Sequence, residues 1–382
     1  MSTRLLVVLA VVSLLIFYTL LRVSDLALKR KSWLKISVAL VAALALSSQF
    51  AYRMQLLPLE SPFFFALTWV GGTLLGFWGT FLLLSIPVDL VALLGSLAHR
   101  VLSPEGFKAA ASRRAFLRRA IPGGLLGLST GLAAYGLKQA WHGPVVRRVE
   151  VPVPGLPEEL VGFTIAQVSD LHVGPTIDRE YVEDVVTTVQ SLEASMIAVT
   201  GDLADGTPEI LRERMEPLGS LSAPLGVFYV TGNHEYYWGG NRWIDAAREL
   251  GFTPLINANQ ILRVEGRKIL LGGVTDPESR VSDVAAAART SEQVDFKILL
   301  AHRPGTCDEA ESNGFDLQLS GHTHAGQFFP WSMLMPLAHK YYQGLNRHGR
   351  LWVYVNAGTG YWGPPNRFSR PSEITLITLA RA

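Results

Sequence analysis

Asp170-Leu171-His172, Gly201-Asp202, Gly232-Asn233-His234-Glu235, His302 and Gly321-His322-Thr323-His324 follow one another along the last three-fifths of a 382-residue chain. Five of the nine histidines fall inside these motifs. A stable core has little use for so many imidazoles set beside carboxylates. A pair of divalent cations does, and the chemistry such a pair supports is hydrolysis by an activated water.

Side chains so far apart in sequence need a frame that brings them together. Phe163 to Val168, Met196 to Thr200, Val227 to Thr231, Ile269 to Val274, Phe296 to Ala301 and Leu317 to Ser320 are short, nearly continuous apolar runs, the pattern of buried strands. Asp178 to Leu192, Pro208 to Leu218 and Asn241 to Leu250 carry helical patterning, and Leu351 to Asn356 and Glu373 to Leu379 read as closing strands. The alternation predicts an α/β layered sandwich. Each polar motif comes directly after one of the apolar runs, at the strand end where open α/β sheets place their ligands. The glycines allow the sharp turns that aim the next side chain inward.

These motifs, with the Leu156-Pro157 lead-in and the closing Asn356-Ala357-Gly358-Thr359-Gly360-Tyr361-Trp362-Gly363, resemble the calcineurin-like metallophosphoesterase superfamily over residues 146–382. Within it, the chain is most similar to membrane-anchored bacterial phosphoesterases with an export signal before the catalytic domain. The resemblance implies a four-layer αββα sandwich. It also implies that Asp170, His172, Asp202 and His324 hold one metal and that Asp202, Asn233, His302 and His322 hold a second, with Asp202 bridging. His234 would protonate the leaving group; a merely structural role is the alternative. His322 and His324 are one residue apart, so an extended segment would point both at the same centre. Oxygen and imidazole donors suit manganese, iron or zinc and do not select among them.

A charge count then favours phosphate. Two divalent ions, Asp170, Asp202 and a hydroxide shared by the ions leave the centre near one positive charge, which attracts a phosphoryl oxygen. The expected activity is phosphoric ester hydrolysis, phosphodiesters ahead of phosphomonoesters. Around this set the sequence leaves alternatives open. Asp205 either orients a ligand or caps the helix near Pro208. Arg303 and Arg367 either meet substrate phosphate or, the favoured reading, form surface salt bridges. Tyr236, Tyr237, Trp238, Tyr361 and Trp362 either line a rim for an apolar or cyclic group or pack in the core. His99, His142, His339 and His348 receive no role.

Composition bounds the rest. Only 17% of residues are charged, and the deficit lies in the first 140. Leu5 to Leu21, Ile36 to Tyr52, Phe63 to about Leu84 and Ile121 to Leu137 are apolar enough to cross a bilayer, so about four transmembrane helices are expected in residues 1–140. Basic residues gather after the first span (Arg22, Lys29, Arg30, Lys31, Lys35) and before the fourth (Arg100, Lys108, Arg113, Arg114, Arg118, Arg119), with only Arg53 between the second and third. That asymmetry puts the following domain outside an inner, multi-pass membrane. Ser112 to Arg118 is similar to a twin-arginine export signal, here kept as an anchor. A net charge of +2 argues against nucleic acid, and the single cysteine, Cys307, excludes an intramolecular disulfide. The expected partners are the bilayer and a phosphoester, with a membrane lipid among the candidates, and no protein. The rival readings are a membrane scaffold with an inactive phosphoesterase-like domain, and a transport-associated protein. The second is weakened by spans that hold almost no charge besides Asp89.

Overall fold

The computed structural model describes residues 14–19, 21–22, 61–102 and 111–382. They form two compact units. One comprises the described residues up to Leu137 with Gly363–Asn366; the other is Lys138–Trp362 with Arg367–Ala382.

In the first unit a 41-residue helix, Pro62–Leu102, contains the third expected span; a second helix, Ala111–Trp141, whose last four residues are counted with the other unit, contains the fourth. Both are long and apolar enough to cross a membrane. Leu5 to Leu21 lies largely, and Ile36 to Tyr52 wholly, outside the described residues, so two candidate spans stand where four were expected. Asp89 does not sit alone in its apolar helix. Arg22 pairs with it at 2.6 Å, and the Tyr18 hydroxyl donates to it at 2.6 Å. Pairing of this kind is how a carboxylate is accommodated in an apolar segment.

The second unit is built on twelve strands: β1 (Val145–Val153), β2 (Thr164–Val168), β3 (Met196–Val199), β4 (Val227–Tyr229), β5 (Thr253–Pro254), β6 (Ala258–Val264), β7 (Arg267–Gly273), β8 (Phe296–Leu300), β9 (Leu317–Ser320), β10 (Gly344–His348), β11 (Leu351–Val355) and β12 (Glu373–Arg381). They make two mixed six-stranded sheets, ordered β1-β12-β2-β3-β4-β5 and β10-β11-β9-β8-β7-β6. The central strands β2, β3 and β4 run parallel, as do β7, β8 and β9. Their loops therefore leave from the same end.

One apolar cluster joins the inner faces of the two sheets. Ile165, Ala198 and Phe228 of the first meet Leu271, Ile298, Leu300, Leu319 and Tyr354 of the second. Alternate residues of the second sheet, Leu270, Leu299, Val353 and Val355, face outward onto Val284, Ala287, Cys307 and Ala310 of two short helices. Burial on both faces explains why these strands read as unbroken apolar runs. Each fully buried Leu, Ile or Phe contributes about 1.5–3 kcal/mol. Polar ties add register across the layers: buried Gln167 donates to Thr200 Oγ1 at 2.9 Å and to the Ser320 carbonyl at 3.0 Å.

Most of the stretch from Trp141 to Pro157 is β1, which pairs in parallel with β12 over nine residues.

Candidate metal centre

The loops that leave β2, β3, β4, β8 and β9 converge, and their turns are unusual. Asp170, His172, Asp202, His322 and His324 all adopt left-handed backbone, with φ of 51°, 53°, 52°, 73° and 50°. For residues with a Cβ this conformation costs about 1 kcal/mol or more each, and such costs collect where a site demands a fixed geometry. Glycine supplies the clearance. A Cβ on Gly232 would run into the Asp202 carboxylate, and one on Gly321 into Ser169 and the Asp170 carboxylate.

The expectation that His322 and His324 lie on an extended segment is corrected. Their left-handed backbone runs into a single turn of 3-10 helix, His324–Gly326. The two rings therefore part company. His324 joins Asp170 and His172, while His322 joins Asp202 and His302; within each trio the donor atoms lie within 4.8 Å of one another. His172 Nε2 faces His324 Nε2 at 3.0 Å, and Asp170 Oδ1 is 3.4 Å from the latter. Asp202 Oδ2 stands between the trios, 3.2 Å from His302 Nε2 and 3.8 Å from His172 Nε2.

Neighbouring groups orient each donor. Asp202 spends one oxygen on the His234 backbone N–H at 2.8 Å, which leaves Oδ2 to the centre. Asp170 accepts from the His322 N–H at 2.9 and 3.0 Å and from Ser169 Oγ at 2.6 Å. His302 Nδ1 lies 2.8 Å from the Thr200 carbonyl, so it carries the proton and presents Nε2 inward. Both His302 Nε2 and Asn233 Oδ1 are buried without a hydrogen-bond partner. Orphaned acceptors of this kind cost free energy unless something else satisfies them. A divalent cation fits: imidazole and oxygen donors surround the position, and no sulfur does.

The electrostatics agree. Burial pulls the His302 imidazole down, yet the Asp202 carboxylate outweighs it and pushes it up to about 10. A field strong enough to hold a proton there would hold a cation. Burial, then the neighbouring His302, drives His322 down to about 3, and burial with His172 and Arg367 drives His324 well below its usual range. Both rings therefore stay neutral, with lone pairs to give.

His234 is placed differently. Its Nδ1 makes a short hydrogen bond to Asp205, and its Nε2 looks toward Asp202 Oδ2 at 4.0 Å. Asp205 also faces His172 Nδ1 at 3.3 Å, and Thr207 takes the cap position of the helix at Pro208. The open choice for Asp205 thus closes on orienting two imidazoles. Burial lowers the His234 pKa, and Asp205 more than reverses this, raising it to about 9. Half-exposed Tyr237 and Trp362 flank the ring, with centroids at 5.2 and 5.6 Å. Tyr361, by contrast, is buried, and its hydroxyl donates to the Thr176 carbonyl.

Three residues carry more than the sequence disclosed. Glu235 is fully buried and accepts from the N–H groups of Gly232, Asp202 and Leu203 at 2.7, 3.1 and 2.8 Å. It ties the Gly-Asp turn to the Gly-Asn-His turn. Arg367, expected in a surface salt bridge, is instead wholly buried. It donates to the carbonyls of Ala357, Gly358, Gly360 and His324, and its Nη2 lies 3.2 Å from His324 Nδ1. Arg303 does form a salt bridge, but a bidentate one with the buried Asp276, at 2.8 and 3.0 Å. His339 brings its ring 6.0 Å from that of His322.

Glu235→Ala should strand three buried donors, at about 1–3 kcal/mol for each group left unpaired. A loss of on the order of 3 kcal/mol is expected in the unfolding free energy of the purified chain, seen as a lower urea midpoint. Glu235→Gln, which keeps one acceptor oxygen, should lose less; equal midpoints for both variants and wild type would refute the tie.

With this geometry established, comparison with known proteins adds ancestry. A family model described as calcineurin-like phosphoesterase matches residues 163–326. The chain is 37% identical over 303 residues to a transmembrane protein with metallophosphoesterase domain of Danio rerio, covering 76% of this chain and 68% of that protein. Its likeness to the protein of the same name in Bos taurus is 35% over 371 residues, 91% of this chain and 81% of the relative. A metallophosphoesterase of Helicobacter pylori is 36% identical over 264 residues, 66% of this chain and 70% of its own. Vertebrate and bacterial relatives match alike, so the resemblance does not single out the bacterial branch.

Proposed function

This chain belongs to the calcineurin-like metallophosphoesterases, and from that premise we propose that it is a membrane-anchored, dinuclear-metal phosphoester hydrolase, acting on diesters ahead of monoesters. The observation that supports the reading is the clustering of Asp170 with His172 and His324 and of Asp202 with His302 and His322, together with the buried, unpartnered Asn233 Oδ1 and His302 Nε2; Asn233 would join the second group as a ligand. Two divalent ions (manganese, iron or zinc) bound by these residues would polarise a phosphoryl group and acidify a water. The chain's own groups do the rest. Asp202 turns one oxygen toward both trios. His234, held through Nδ1 by Asp205, keeps Nε2 turned to the centre, where a proton can pass to the leaving oxygen.

Purified protein supplied with manganese should hydrolyse bis(nitrophenyl) phosphate, and a chelator should abolish the reaction. No turnover under either condition would favour the inactive scaffold. For the natural substrate we favour a membrane-derived phosphoester, because the domain follows an apolar helix with only three residues between them. Removing the acyl chains from such a substrate should lower turnover; unchanged turnover would defeat the lipid assignment.

The orientation follows from the basic loops on either side of the spans, with Ser112 to Arg118 serving as an uncleaved export signal. An alkaline phosphatase reporter fused after Leu137 should be active, placing the domain outside. A silent fusion reverses the assignment.

A further inference from the structure

Between His324 and His339 the chain makes an excursion whose chemistry the metal centre does not use. Residues 327–338, Gln-Phe-Phe-Pro-Trp-Ser-Met-Leu-Met-Pro-Leu-Ala, hold no charged side chain. A turn of 3-10 helix, Trp331–Met333, and a short helix, Met335–Ala338, shape it. The burial pattern inverts what water dictates. Ser332 and Met335 face inward, where a Cβ on Gly326 would lie 2.7 Å from Met335 Cγ, so the base of the loop is tightly packed. Trp331, Met333, Leu334 and Leu337 face outward, at 44%, 66%, 39% and 85% exposure. Scattered surface apolar residues need no explanation, but four large ones in seven positions on a fixed loop form a patch that does.

We propose that this loop docks in the interfacial layer of the bilayer that anchors the chain. Three observations choose a lipid surface over a protein partner. The described residues include two helices long and apolar enough to span a membrane. The second ends at Trp141, and β1 starts at Val145, so at most roughly 15 Å of chain separates them. Finally, the exposed set combines an indole with aliphatic side chains on short helical turns, one capped by Pro330 and the other holding Pro336 in its first turn, the composition that settles shallowly among headgroups. Both ends of the loop lie beside the metal centre. Gly326 is two residues past His324, and the His339 ring is 6.0 Å from His322. Docking would therefore bring the mouth of the centre to the lipid surface. The inference concerns membrane contact alone and does not depend on which ester the enzyme cleaves.

The test uses the full chain in nanodiscs of phosphatidylcholine and phosphatidylglycerol. Leu337→Cys and, separately, Met333→Cys are labelled with bimane; Cys307 is 2% exposed and stays unlabelled. Glu265→Cys, in the β6–β7 turn, serves as the exposed reference. Nitroxide-bearing lipid should quench both loop labels at least about threefold more than the reference, and aqueous iodide should quench them less. Loop labels quenched by iodide like the reference, with no lipid effect, would overturn the proposal. Labels shielded from both quenchers would overturn it too, in favour of contact with protein, including a second copy of the chain.

Discussion

Asp202→Ala is expected to remove bound metal and turnover together, lowering kcat/KM by roughly 10³-fold or more. One carboxylate oxygen lies 3.2 Å from His302 Nε2 and 3.8 Å from His172 Nε2, so it faces both donor trios, as the proposed bridge requires. Deleting it takes a negative charge from both positions at once. It also removes the acidic neighbour that draws positive charge onto His302, whose pKa should fall back as burial takes over. The fold should survive, because the turn is held by Glu235 through the backbone N–H groups of Asp202 and Leu203, which alanine retains. The decisive measurements are metal content by atomic absorption and hydrolysis of a nitrophenyl phosphodiester. A variant that keeps two ions per chain would show that Asp202 does not bridge. Asp170→Ala makes a useful contrast. As a candidate ligand Asp170 is grouped with His172 and His324, so that variant should lose metal mainly at one position.

What could be read in the sequence follows from the physics of each element. β2, β3, β4, β8 and β9 are buried on both faces, so they appear as apolar runs, and the glycines and polar residues beyond them mark where each ends. The motif positions were legible for the same reason. β1 was not. Its first two-thirds, Val-Val-Arg-Arg-Val-Glu, is mostly exposed at a sheet edge, and it is a strand because β12, more than two hundred residues away, pairs with it. Propensity cannot see such a partner. Arg367 was misjudged because Asn-Arg-Phe-Ser-Arg reads as surface. Its partners are backbone carbonyls, which leave no trace in side-chain patterning. The turn at His322 and His324 was missed because left-handed backbone at a residue with a Cβ is imposed by surroundings rather than by the residue itself. Glu235 stood in plain view inside its motif, yet its task of accepting three N–H groups needed the fold to bring Asp202 and Leu203 to it.

His234→Ala should leave the metals in place and lower kcat by about 10²–10⁴-fold, the usual weight of a positioned proton donor. The loss should depend on the leaving group. Nitrophenolate departs without a proton, so its ester should suffer least; an alkyl phosphodiester, whose alkoxide needs one, should suffer most. The pH profile supplies an independent check. Burial alone would depress the His234 imidazolium, and Asp205 with Asp202 raises it to about 9 in the metal-free chain. A raised pKa means that the proton is present below it and is lost as pH climbs through it, so His234 should set the alkaline limb of kcat. Bound cations would bring that limb lower than the metal-free value, yet the sign of Asp205's influence stays the same. Asp205→Asn, which keeps a hydrogen-bond acceptor for Nδ1 but removes the charge, should therefore move the alkaline limb to lower pH while the acid limb stays. A limb that does not move, or an alkyl ester no more affected than the nitrophenyl ester, would assign the proton to another group and leave His234 as a support for its neighbours.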